Sequence, residues 1–494
     1  MRGRSVVLLF VLFGVFACAL GFYVLHLAPT TTWGDSAGHH HAMDKPLSVG
    51  ARGYPLFVLL ERAFRAFPTD DPWYNANLLT AVLGALALVA IFAVIRRLTS
   101  GITAAVAGTI AFGVAHSVWS YSVVTEVYTL NWLIIALMLL LLLRFRDGDP
   151  YALPLLLFVA GIGLGHHRLL GFMALPFFVF VGLHRRRLTR RMIVLGAVAL
   201  LVGALPTLIL FVRELSGGVG FGELLHFYLT GGISKSLFNL DPGIYAKSTG
   251  LFLAYLALNL LGAALPLALL GGAVLARRDR GVFALLALTF ALYAGFAIGY
   301  RHHGIWVAYT THAYLPLAIL VGVGTEAFLN RFVASRRTMA FVTLALLFAV
   351  PFVAYRSSPA VLRALDLRPF AVVDADRFHR WYLDPDQSRD RTAYETAVAI
   401  LDRVPPDAHV LGDWGIVAVL RLVQHHEGRN PEVGLHLAEG RRLTTWLDEV
   451  GDSRPVYLTH FIHYPPVLRA SGYRLRAVED GLPLYRILPE EAPR

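Results

Sequence analysis

Between residues 5 and 355 one apolar stretch follows another, separated by short polar turns. A bilayer-spanning helix needs roughly 20 mostly apolar residues. The runs at 5–27, 76–98, 102–121, 127–144, 152–166, 169–184, 192–212, 250–276, 281–299, 311–330 and 339–355 meet or approach that length. The predicted fold is therefore mainly α, with about eleven transmembrane helices. Of the 494 residues, 56% are hydrophobic and 16% charged, which excludes an ordinary soluble globule.

The formal charge of +11 does not point to nucleic acid, because the basic residues fall in short clusters between apolar runs. Arg2/Arg4, Arg96/Arg97, Arg144/Arg146, Arg185 to Arg191, Arg277 to Arg280 and Arg331 to Arg337 all fall on one side when the helices alternate. That is the positive-inside pattern, and it predicts a cytoplasmic N-terminus in a multi-pass protein of a bacterial inner membrane. The first run, with Val15-Phe16-Ala17-Cys18, has a weak likeness to a cleaved leader. Cleavage there would leave few apolar residues, so it is read as an anchor. A single cysteine, Cys18, rules out an internal disulfide.

Two domains follow: a transmembrane domain at 1–355 and a small extracytoplasmic α/β domain at 356–494. In the second, charge rises and short strands alternate with helices. HVLGDW (409–414), PEVGLHL and RPVYLTHF read as strands, GIVAVLRLVQHH and RRLTTWLDEV as helices, and YRLRAV with LPLYRIL as a closing hairpin. Pro359, Pro369 and Pro385 mark the linker, and no Gly-rich dinucleotide fingerprint follows a strand.

With the topology set, ionisable residues collect at the outer ends of the helices. The first loop holds Asp35, His39 to His41, Asp44, Lys45 and Arg52. His116 and Glu126 flank the next outer turn, and His166, His167 and Arg168 form another. Lys235 and Lys247 lie in a long loop at 213–249, and Arg301, His302 and His303 follow the ninth helix. Polar groups at one membrane depth suggest a site. A carboxylate there can take a proton from a hydroxyl. Arginine and histidine opposite it can hold a phosphate. Sugar transfer from a lipid phosphate needs both. Consecutive histidines lack metal-ligand spacing, so no metal is assigned to them. Asp374-Ala375-Asp376 and Asp384-Pro385-Asp386 match a short pattern of nucleotide-sugar enzymes, but neither follows a clear strand.

The motifs Trp33-Gly34-Asp35-Ser36, Gly53-Tyr54-Pro55-Leu56-Phe57, Asn77-Leu78-Leu79, Glu126-Val127-Tyr128-Thr129-Leu130-Asn131 and Gly163-Leu164-Gly165-His166-His167 resemble those of the protein O-mannosyltransferase-like family of bacterial membrane proteins. That family is similar to the GT-C superfamily of membrane glycosyltransferases. The likeness is clear over about residues 28–185 and weaker at VLGDWG and RPVYLT. It implies a GT-C fold, a polyprenyl-phosphate sugar donor and an acid of the first outer loop as catalytic base. Asp35 matches that acid, Glu126 the family's glutamate and His167 its histidine. This chain departs by inserting Gly34 before the aspartate, by lacking the glutamate after it, by Ala51-Arg52 in place of His-Pro-Pro, and by His166 in place of asparagine.

The expectation is a glycosyltransferase acting on a hydroxyl of a protein or glycan at the outer face. Asp35 and Glu126 are its catalytic pair, and His167, Arg168, Arg301 and His302 bind the donor phosphate. The lipid-linked sugar is its donor substrate, a divalent metal requirement is open, and no nucleic acid is involved. Asp44, beside Lys45 and Pro46, is the competing base but reads better as a paired or turn-forming residue. A non-catalytic scaffold and a transporter or flippase are the alternatives. A transporter expects mid-depth charges and repeated halves, which the chain lacks. A scaffold has no need for Asp35, Glu126 and His167 to converge.

Overall fold

The computed structural model describes residues 2–49, 54–65, 68–231, 238, 241–300, 307–332, 334–365, 383–438, 447, 454–459, 468 and 470–489. Its helices are α1 (Arg2–Leu25), α2 (Asp35–Ala42), α3 (Pro55–Phe64), α4 (Pro72–Leu98), α5 (Ile102–Gly113), α6 (His116–Ser122), α7 (Tyr128–Arg146), α8 (Ala152–Gly163), α9 (Ala174–Leu183) and α10 (Arg190–Ser216). There follow α11 (Phe221–Thr230), α12 (Pro242–Asn259), α13 (Ala264–Arg278), α14 (Arg280–Gly299), α15 (Val307–Leu329) and α16 (Arg336–Ala364). Last come α17 (Thr392–Arg403) and α18 (Trp414–Glu427).

By length and composition, seven described helices are long and apolar enough to cross a membrane, or up to nine if two bent pairs each count as one span. The bent pairs are α5 with α6, at 73°, and α12 with α13, at 101°. Two shorter apolar helices, Ala152–Gly163 and Arg168–Leu183, occupy the expected fifth and sixth runs. Two of the expected continuous helices are thus broken. In the second, Gly262 sits in the break at φ +65°, a conformation glycine adopts without strain.

Helix starts follow local chemistry. Asp71 accepts from the Trp73 and Tyr74 amides with Pro72 next to it, and Thr189, Asp279 and Asp413 cap α10, α14 and α18. Helices α4, α7 and α15 form the buried centre, whereas α1, α10 and α16 turn large apolar side chains outward, as lipid contact requires. Close crossings rest on glycine. A Cβ at Gly271 or Gly324 would strike the backbone of the facing helix in the α13–α15 pair, and one at Gly161 or Gly203 would do so between α8 and α10.

The arginine-bearing turns gather at one end of the bundle. Arg97 pairs with Asp147 (2.6 Å), Arg146 with Asp279 (2.8 Å), and Arg278 donates to the Leu98 carbonyl (2.6 Å). Glu326 Oε1 accepts from the Ser100 amide and hydroxyl at 2.6 and 2.7 Å.

Helix α16 runs on to Ala364, nine residues beyond the expected limit of its apolar run, and Pro359 lies inside it instead of in a linker. Beyond it, α17 and α18 pack against a five-stranded sheet of order β2-β1-β3-β5-β4. Its strands are β1 (His409–Gly412), β2 (Gly434–Leu437), β3 (Val456–Thr459), β4 (Tyr473–Ala477) and β5 (Leu484–Pro489). The first three are parallel, and β5 runs antiparallel to both β3 and β4. The helix expected from RRLTTWLDEV lies almost entirely outside the described residues.

Candidate active site

At the end of the bundle opposite the arginines, the first loop meets three other turns and the sheet domain. The inserted glycine has a structural reason. Gly34 lies at φ 71°, ψ −125°, which only glycine tolerates well, and its turn puts Asp35 at the first position of α2. Asp35 is half-buried, and its Oδ1 accepts a 2.7 Å hydrogen bond from Trp414 Nε1. The Gly34 amide donates to the Gly415 carbonyl at 3.0 Å.

His39, His40 and His41 lie on a helix, not a loop, so their side chains leave it about 100° apart toward three different neighbours. His39 meets Tyr54 and Phe57 edge-on. His40 sits between the hydroxyls of Thr31 (3.1 Å) and Thr125 (2.8 Å). His41 faces His425 of α18. Among the described residues no group of three His, Cys, Asp or Glu is placed to hold a metal.

Asn77 ties the motifs together. Its Nδ2 donates to the carbonyls of Ala28 (2.9 Å) and Thr30 (3.0 Å), and its Oδ1 accepts from Thr125 (2.7 Å). Thr125 in turn holds His40, so the segment before Asp35 is locked to the turn that carries Glu126. Every polar atom in this chain of bonds is buried, where an unmade bond is costly.

Tyr54 occupies the centre. Its ring stacks on His167 at 5.2 Å and 13°, and the turn holding it is joined to the next by Leu56 N–H donating to the Gly165 carbonyl (2.9 Å). Burial pushes the Tyr54 phenol up to about 12; Arg168 opposes this, while Asp35 and Glu126 reinforce it. Asp35, Glu126 and Arg168 therefore lie within electrostatic reach of the Tyr54 hydroxyl. Glu126 is buried, and among the described residues its Oε2 has no hydrogen-bond partner. Burial first, and then the charge of Asp35, hold its carboxyl well above the usual range.

His166 contacts the Val127 carbonyl through Nε2 (3.0 Å), and burial pushes it down to about 3, so it stays neutral. His167 Nδ1 accepts from the Leu169 amide (3.2 Å), which leaves the proton on Nε2. Burial also lowers His167 well below its ordinary value. Arg168 donates through Nε to the Tyr228 carbonyl (2.5 Å) and through Nη2 to that of Phe227 (3.1 Å), at the end of α11. Beside it opens a cavity of about 380 Å³. Its walls are apolar side chains of α7, α8 and α9, including Ile134, Leu156 and Phe177, and His166, His167 and Arg168 also line it.

The other expected participants lie outside the described residues, are exposed or are engaged elsewhere. Arg301, His302 and Lys235 lie outside the described residues, and Lys247 is exposed on α12. Asp44 is a paired residue, but with Arg65 (2.5 Å) and His426 (3.1 Å), not with its neighbour Lys45. Asp384 and Asp386 both pair with Arg356 of α16, while the first such triplet is outside the described residues. His116 touches the Leu383 carbonyl (3.2 Å) and stands edge-on to Tyr355. Sequence reasoning missed Tyr54 and Trp414 as participants. The first was visible within a motif, and the second within the weaker likeness at VLGDWG, although nothing there tied it to Asp35.

The model of the Protein O-mannosyl-transferase TMEM260 N-terminal domain matches residues 46–191, a stretch that includes Tyr54, Asn77, Glu126, His167 and Arg168 but not Asp35. The mouse Protein O-mannosyl-transferase TMEM260 is 24% identical over 509 aligned positions, covering 95% of this chain and 67% of the mouse protein. The crystal structure of ArnT from Cupriavidus metallidurans in the apo state superposes with a TM-score of 0.59 at 15% identity, over 99% of this chain and 98% of that one. At such identity the last likeness is one of fold.

Proposed function

We propose that this chain, O-mannosyltransferase-like and of the GT-C glycosyltransferase type, moves a sugar from a polyprenyl-phosphate donor to a hydroxyl of a protein or glycan. The observation that carries the reading is the apolar cavity lined in part by His167 and Arg168, next to the turn that faces Asp35 and Glu126. An isoprenoid tail fits apolar walls, and its phosphate fits a guanidinium beside an imidazole N–H.

In the reaction Asp35 takes the proton of the acceptor hydroxyl as its oxygen bonds to the anomeric carbon. The bond from that carbon to the phosphate oxygen breaks, and the lipid phosphate leaves with the electron pair. Arg168 and His167 Nε2–H hold that phosphate before the bond breaks as well as after. Glu126, whose burial beside Asp35 favours the neutral carboxyl, donates a hydrogen bond into the same space. A scaffold has no use for this gathering of ionisable groups. The outer face is assigned because the arginine clusters stand at the other end.

The test is incubation of the purified full chain with labelled polyprenyl-phosphate sugars, followed by identification of the labelled product. Asp35→Asn should lower turnover roughly 100- to 10,000-fold and leave donor binding nearly unchanged. No transfer from any such donor, or an Asp35→Asn protein as active as the wild type, would overturn the proposal.

A further inference from the structure

The sheet domain meets the first loop at both ends of α18, through His425 and His426 at one end and Trp414 at the other. Strand β1 ends at Gly412, Asp413 caps α18 through the Ile416 amide (3.2 Å), and Trp414 then projects from the first turn of that helix. In doubly wound sheets the crevice at the carboxyl ends of the strands is where ligands are gripped. Here that end of β1 grips α2. The indole N–H bonds Asp35 Oδ1 at 2.7 Å, and the Gly415 carbonyl takes the Gly34 amide at 3.0 Å. The fit is close: a Cβ on Gly38, one turn along α2, would lie 2.8 Å from the Trp414 ring. Ala37 on the same short helix is buried in the apolar core of the sheet domain, beside Ala393, Ala397 and Ile416. Three kinds of contact therefore fix this helix to α18: a side-chain hydrogen bond, a backbone hydrogen bond and packing that admits only glycine.

We infer that Trp414 is a positioning residue, through which the C-terminal domain holds the Asp35 carboxylate in its reacting orientation. This rests on the assignment of Asp35 as base. An aspartate carboxylate has two rotatable bonds, and the indole removes that freedom by fixing Oδ1. The remaining oxygen, Oδ2, then takes the acceptor proton. Indole nitrogen only donates, so the bond cannot reverse its sense. The domain thus serves the reaction directly, as well as any role it has in holding an acceptor.

The experiment is a double-mutant cycle on the full chain in detergent, with a labelled polyprenyl-phosphate sugar and initial rates. Trp414→Phe keeps an aromatic ring against Gly38 and deletes the N–H. It should lower kcat roughly 10- to 100-fold, the scale of a misplaced catalytic group, with donor KM within about twofold and the melting temperature nearly kept. In the Asp35→Asn background the same change should cost nothing further, because the group it positions is already gone. Losses that multiply, or Trp414→Phe at the wild-type rate beside an impaired Asp35→Asn, would overturn the inference while leaving the base assignment standing. An Asp35→Asn protein at full rate would overturn the base assignment and this inference with it. Should Trp414→Phe melt early, Gly38→Ala gives the second reading, since it displaces the same indole with the N–H intact. It should lower kcat too, and a wild-type kcat there would count against positioning.

Discussion

Replacing Asn77 by alanine tests whether the motif residues form one framework. Asn77 is fully buried and makes three hydrogen bonds, to the carbonyls of Ala28 and Thr30 and from the hydroxyl of Thr125. Each is worth about 1 kcal/mol net in a soluble interior and about 0.6 kcal/mol on average between helices in a membrane. Together they come to roughly 2 to 3 kcal/mol. At about 2 °C per kcal/mol, the low end for large chains, the melting midpoint should fall by roughly 4 to 6 °C. Thr125→Val, which cuts the bonds to Asn77 and His40 but leaves those to Ala28 and Thr30, should cost about two-thirds as much. Because the network joins the segment before Asp35 to the turn carrying Glu126, kcat should fall in both variants by more than donor affinity does. Thermal melting in detergent and initial rates of sugar transfer measure the two effects. An Asn77→Ala protein that melts within about 1 °C of wild type would refute the idea that this residue holds the two loops together.

Three further outcomes are expected. Burial pushes the Glu61 carboxyl from 4.5 up to about 8, so its contribution to stability is complete below about pH 4.5 and is lost as pH rises through about 8. Glu61→Gln should flatten that decline by up to about 1.4 kcal/mol per pH unit, seen as melting curves from pH 5 to 8 that converge on one midpoint; parallel behaviour of the two proteins would contradict it. Arg168→Lys cannot keep both bonds to the end of α11 and should raise the donor KM roughly tenfold with a smaller change in kcat, and an unchanged KM would remove Arg168 from the phosphate site. Asp44→Asn should retain most transfer activity, since that carboxylate is engaged with Arg65 and His426; a loss equal to that of Asp35→Asn would exchange their roles.

Much of the fold was legible in the chain itself. Spanning length, arginine alternation and capping are local properties, each set within some 20 residues, and lipid imposes the same demand on every helix. The strands at 409–412, 434–437 and 456–459 and the final hairpin were equally readable from their short apolar runs. The breaks at 113–116 and 259–264 were not, because apolar composition continues across a bend and only neighbouring helices decide whether the axis turns.

The site divides along the same line. Sequence alone gathered the ionisable residue types at one set of helix ends, and a family likeness singled out Asp35, Glu126 and His167 among them. Only the tertiary structure decided that Tyr54 lies amid them, that the three consecutive histidines part toward separate neighbours, and that Asp44 is engaged elsewhere. The bond between Trp414 and Asp35 joins residues 379 positions apart. No periodicity or spacing encodes such a contact, because it exists only once two domains have folded and a glycine at position 38 lets their surfaces meet.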